Sequence, residues 1–178
     1  MKYYLLLPIA LVVFLTSCNE TTEKGFNAQY IHNFTVDIPA GATEATFSQE
    51  ELIDVLSNVD ISEIQDKITR MEFREIQYKV WEYGGDQGSK VSGSIKVNAN
   101  DDSNIFNFDI AEDSLVVLNL EQAHRFITVD DASKEAIAAA LKSDKKIKIA
   151  VNGMVTETPV HFVLQVITDV RAYAEIEL

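Results

Sequence analysis

The run ITRMEFREIQYKVWEYGGDQGSKVSGSIKV, residues 68–97, decides the fold class. Its apolar residues recur at every second position, which is the period of a strand with one buried face. Met71 and Phe73 share one parity, while Ile76, Tyr78 and Val80 share the other. Such a period inverts only where an extra residue enters the ladder or the strand changes sheets. A bulge or a crossing is therefore predicted at Arg74-Glu75. Gly84-Gly85-Asp86-Gln87-Gly88 ends the run as a turn, and Val91, Ile95 and Val97 resume it against Ser92, Ser94 and Lys96. This reads as an antiparallel hairpin with one wet face.

Upstream, Phe34, Val36 and Ile38 alternate with polar residues until Pro39 and Gly41 stop them, giving a first strand. Ser48 and Glu51 have the spacing of a capping box, and Phe47 can staple onto Leu52. Leu52, Val55, Leu56 and Val59 follow at helical spacing, so a short helix is predicted over residues 49–58. Downstream, residues 105–110 carry Phe106 and Phe108 in a strand. The continuous apolar run 115–120 has strand length, and residues 126–129 continue extended. Asp130 or Asp131 caps a second helix over 132–142, with Ala136, Ile137, Ala140 and Leu141 inward. Ile147, Ile149 and Val151 alternate up to a turn at Asn152-Gly153, and a long last strand starts at Val160 and runs through Ile176. Six to eight strands with two short helices predict a mostly β chain, an antiparallel β-sandwich.

The strand count and the late, long final strand loosely resemble immunoglobulin-like modules of secreted and envelope proteins. The Cys…Trp…Cys arrangement is missing: Trp81 stands before the glycine turn and Cys18 is the only cysteine.

The N-terminal end sets delivery. Lys2 precedes an apolar run, residues 3–15, interrupted by Pro8. That is the layout of a secretory signal peptide, and it is shorter than the roughly 20 residues a membrane span needs. Leu15-Thr16-Ser17-Cys18 resembles the lipobox of bacterial lipoproteins. The resemblance implies cleavage before Cys18, acylation of its thiol, and anchoring in the cell envelope, at the outer membrane or periplasmic face. The expected organisation is a lipoprotein signal peptide at 1–17, the lipidated cysteine and a flexible polar tether at 18–29, and one sandwich domain at 30–178.

Composition narrows the function classes. Hydrophobic residues make up 47% and charged residues 24%, values of a chain that buries a core. The formal net charge of −13 repels phosphate backbones, so no nucleic-acid partner is expected. With Cys18 committed to lipid, no thiol remains for a disulfide, a cysteine zinc site or a nucleophile. No cofactor is expected.

No catalytic or metal-binding set emerges. His32, His124 and His161 are scattered, without the i, i+4 partners of a helical metal site. No Gly-x-Ser-x-Gly elbow is present, and Ser143-Asp144-Lys145 reads as a helix end. Gly84, Gly85 and Gly88 mimic a phosphate loop, but such a loop must open a helix, and here a strand follows. Asn98, Asn100, Asp102, Asn104 and Asp109 mimic EF-hand spacing without its leading Asp or its Gly, so a solvated hairpin turn is the better reading. Asp113-Ser114-Leu115 resembles an O-glycosylation pattern of some bacterial envelopes, which makes Ser114 a candidate acceptor. The expected function is a non-enzymatic binding or structural module that meets an envelope protein or glycan. Two alternatives stand beside it: an apolar-ligand carrier lined by Phe106, Phe108, Phe126 and Phe162, and an acidic inhibitor or immunity-type protein.

Overall fold

The computed structural model describes residues 21–42, 45–121 and 123–177. The predicted signal peptide and Cys18 lie outside the described residues. Among the described residues there are eight strands: β1 (Thr21–Ile38), β2 (Thr46–Asp54), β3 (Ile68–Gly85), β4 (Lys90–Ala99), β5 (Asn104–Ser114), β6 (Arg125–Ile127), β7 (Lys146–Val155) and β8 (Val160–Glu177). Three α-helices join them: α1 (Val59–Ser62), α2 (Leu115–Glu121) and α3 (Asp131–Asp144). One sheet has the order β1-β8-β3-β6 and the other β2-β7-β4-β5, and every pairing is antiparallel. The predicted antiparallel β-sandwich is therefore the fold. Every connection but β4–β5 crosses between sheets, which is the threading of an eight-stranded jelly roll and differs from the immunoglobulin order.

The parity inversion in residues 68–97 is a bulge. β3 slips against β8 between Phe73 and Glu75, so Met71 and Phe73 before it and Ile76, Tyr78 and Val80 after it all reach the core. The glycine turn that follows does not close a hairpin. β3 and β4 belong to opposite sheets, and residues 86–89 carry the chain across the end of the sandwich. The hairpin is β4–β5, closed at the polar residues 100–103 as expected for a solvated turn.

Four further expectations are corrected. Residues 46–54 form strand β2, paired with β7 from Thr46–Met154 to Asp54–Lys146, whereas a helix was predicted over 49–58; only residues 55–57 of that span form a helical turn. Ser48 caps nothing; its hydroxyl donates to Asn152 Oδ1 at 2.6 Å. The caps sit later, where Asp54 accepts from Leu56 N at 3.0 Å and Asn58 from Ile61 N at 3.2 Å. Conversely, residues 115–120 are helical: Leu115 and Leu118 are buried one turn apart while Val117 and Leu120 face out. A short apolar run has no period of its own, and its neighbours decide. Asn152-Gly153 lies inside β7 instead of ending it, with Gly153 opposite Gly93, and the chain turns at residues 156–159. A Cβ at Gly153 would stand 2.6 Å from the Ser92 carbonyl oxygen, so close approach explains this glycine better than a turn does. The fourth correction concerns the tether: residues 21–29 belong to β1, which pairs with β8 from Thr21–Glu177 to Ile38–Val160.

The second helix forms as predicted. Asp130 Oδ1 accepts from Ser133 N at 2.9 Å, Lys145 closes the C-terminus at φ 61°, and Ile137 and Leu141 are buried, although Ala136 faces out. Its place follows from strand length. β1, β3 and β8 have 18 residues each while β2, β4, β5 and β7 have 9 to 11, so the first sheet overhangs the second. Val55, Ile61 and Ile64 of the connecting segment, with Ile137 and Leu141 of α3, join the same core as Met71, Phe73, Val170 and Ala172 of the overhang. Tyr30 closes the β1–β2 side by donating to the Val55 carbonyl at 3.0 Å, and burial pushes its phenol up to about 12.

Candidate functional site

Three hollows show what the body can receive. The first is a groove of about 410 Å3 between the start of β3 and α3, walled by Arg70, Glu72 and Arg74 on one side and Asp131, Lys134 and Glu135 on the other. One wall is rigid. Arg70 stacks its guanidinium 3.5 Å over the Tyr173 ring, and Tyr173 donates to Glu72 Oε2 at 2.6 Å. Mixed charges on both walls suit a polar ligand better than an apolar one.

The second is a shallow dish of about 350 Å3 on the second sheet, around Gly93 and Gly153. Thr46, Ser92, Ser94, Asp109, Asn152 and Met154 form it. The strand period assigned Ser92 and Ser94 to a wet face, and they occupy one. Asn152 was missed, because an Asn-Gly pair reads as a turn when its cross-strand partner is unknown. Asp109 accepts from Asn107 Nδ2 at 2.8 Å, and the dish offers hydroxyls, one side-chain amide and one carboxylate. The third lies between the sheets and amounts to about 10 Å3, lined by Phe47, Tyr78, Val91, Leu118, Phe162 and Leu164. That is one water's volume.

The four phenylalanines proposed for a carrier do not share a cavity. Phe162 is 0% exposed and meets Phe47 edge to face at 5.7 Å, Phe106 and Phe108 are half-buried, and Phe126 is 67% exposed on β6. The histidines also stay apart. His32 is on β1 opposite Val166, His161 on β8 opposite Asp37, and His124 precedes β6 within 3.5 Å of Gln165. Burial lowers the His32 pKa from its ordinary value, with Glu51 opposing the shift.

Among the described residues no group of three or more His, Cys, Asp or Glu is placed to hold a metal ion. The calcium-like residues have other partners: Asn104 donates to Asn98 at 3.0 Å, Asp102 pairs with Lys148, and Asp109 accepts from Asn107. In the glycine turn, Asp86 Oδ1 accepts from Gly88 N at 2.7 Å, so a carboxylate takes the backbone N–H that a phosphate would need. Ser114 ends β5, half-buried, next to Asp113, which accepts from Arg125 at 2.7 Å. Among the described residues no helix is long and apolar enough to cross a membrane.

No protein-family profile matches the chain, and no curated protein does. Among solved structures it is similar to one of Desmodium yellow mottle tymovirus, at 10% identity over 99% of this chain and 97% of that one, with a TM-score of 0.34. One of turnip yellow mosaic virus has 9% identity over 87% and 97%, with a TM-score of 0.31. One of infectious bursal disease virus, strain Gx, has 11% identity over 97% of this chain and 42% of that one, with a TM-score of 0.30. Superpositions this loose carry no functional argument, and the jelly-roll assignment rests on strand order.

Proposed function

We propose that the chain is a lipid-anchored protein of the bacterial cell envelope, a non-enzymatic binding or structural module for an envelope protein or glycan. The observation that carries this reading is the apolar leader ending in Leu15-Thr16-Ser17-Cys18, with the only cysteine at its end. The body supports it: a closely packed sandwich with polar hollows on its surface and about 10 Å3 inside is suited to surface recognition. The test is Cys18→Ala expressed in a bacterial host. The native chain is expected in the membrane fraction with a diacylated Cys18, and the variant in the soluble fraction. A variant that still partitions with membranes rules out anchoring through this residue.

A further inference from the structure

The junction between anchor and body has a geometric consequence, which rests on the lipidation reading above. Cys18 precedes Thr21, the first residue of β1, by three positions. Three residues span at most about 10 Å. β1 is hydrogen-bonded to β8 from that first residue, Thr21 opposite Glu177, and Ile68 of β3 lies opposite Ala174 on the other side of β8. The starting end of β1 is therefore paired with β8 from Thr21 and joins a three-stranded ladder from Lys24, and an acylated Cys18 holds this end of the sandwich against the bilayer.

We propose that the end formed by residues 21–24, 65–69 and 175–177 is the lipid-facing surface, with the sandwich standing end-on. The surface contains a hollow of about 370 Å3 lined by Thr21, Asp66, Lys67, Thr69, Glu175 and Glu177. Its carboxylates Glu23, Asp66, Glu175 and Glu177 outnumber Lys24 and Lys67, so it fits zwitterionic headgroups, whose ammonium groups it can meet, and is repelled by anionic ones. Eighteen residues of β1 at about 3.3 Å each place the opposite end roughly 60 Å further out. There the turns at residues 39–42, 86–89 and 156–159 cluster, because Ile38 and Gly85 both lie opposite Val160. Those turns are where an envelope partner is met.

Because Cys18 is the only cysteine, a single introduced cysteine in the acylated protein is the sole free thiol. Asp66→Cys at the near end and Gln87→Cys at the far end are both at exposed positions. Each is labelled with a donor dye in the native, acylated chain, inserted into phosphatidylcholine–phosphatidylethanolamine vesicles carrying a headgroup acceptor. Energy transfer is expected to be several-fold greater from position 66 than from 87. Twenty Gly/Ser residues inserted between Asn19 and Glu20 add an r.m.s. span of about 25 Å and should bring the two values together. Equal transfer in the native chain, greater transfer from 87, or a ratio unchanged by the insertion each overturns the proposal. Mass spectrometry of the same samples separates the causes: a free thiol at Cys18 removes the anchor and the placement together, whereas an acylated Cys18 with equal transfer removes the placement alone.

Discussion

Gly93 tests the threading of the sandwich directly. In the jelly-roll order β4 lies against β7, with Gly93 opposite Gly153. A Cβ at position 93 would stand 2.9 Å from Gly153 Cα and closer still to the Asn152 carbonyl oxygen. Both obstacles are backbone, so no side-chain rotation relieves the clash, and β4 and β7 must part by about 1 Å to bring that contact to van der Waals distance. Overpacking of this kind costs about 1–3 kcal/mol, and the rigid obstacle puts Gly93→Ala at the upper end, about 3 kcal/mol. For a domain of this size that lowers Tm by roughly 6–12 °C. Gly84→Ala is the control. Nothing lies within 4 Å of its Cβ and its φ is not positive, so its effect stays within about 1 kcal/mol. Urea unfolding of the two variants, followed by tryptophan fluorescence of Trp81, measures the difference. If Gly93→Ala costs no more than Gly84→Ala, β4 does not lie beside β7 and the sheet order is wrong.

The phenylalanines give a second contrast: Phe162→Ala should cost about 3–5 kcal/mol through the cavity it leaves, and Phe126→Ala, at 67% exposure, less than about 1 kcal/mol, both read from urea midpoints. Comparable losses would show that Phe126 is covered in solution. His32 gives a pH dependence. Its folded-state pKa lies below the ordinary 6.5, so the unfolded chain takes up a proton first as pH falls. Stability is therefore level above the unfolded value and declines as pH drops from there toward the folded one. His32→Phe should flatten that part of the stability–pH curve, and an unchanged slope assigns it to the carboxylates instead.

Legibility along this chain followed a physical rule. The break in the period of β3 was visible because a two-residue period leaves no freedom: Met71 and Phe73 cannot share a face with Ile76 and Tyr78 unless a residue is added between them or the strand changes sheets, and the structure shows the bulge. The cap of α3 was visible because Asp130 and Ser133 interact within one turn. Residues 46–54 misled because nine residues hold too few apolar positions to separate periods of 2 and 3.6 when Phe47, Leu52 and Ile53 fit both in part. The dish on the second sheet was half visible, since Ser92 and Ser94 follow from strand parity but Asn152 joins them only across a ladder.

The amino-acid sequence alone determined the β character of the chain, the positions where its period breaks, the glycine turn and the start of α3 at Asp130 or Asp131. These are properties of bonds and contacts within a few residues. Only the tertiary structure decided that β3 and β4 separate into opposite sheets, that residues 115–121 are helical, and that residues 21–29 belong to β1. In each case the deciding partner is distant in the chain. Residues 21–29 carry few apolar side chains, yet β8 supplies their backbone with hydrogen bonds, and that pairing has no signature in the residues themselves.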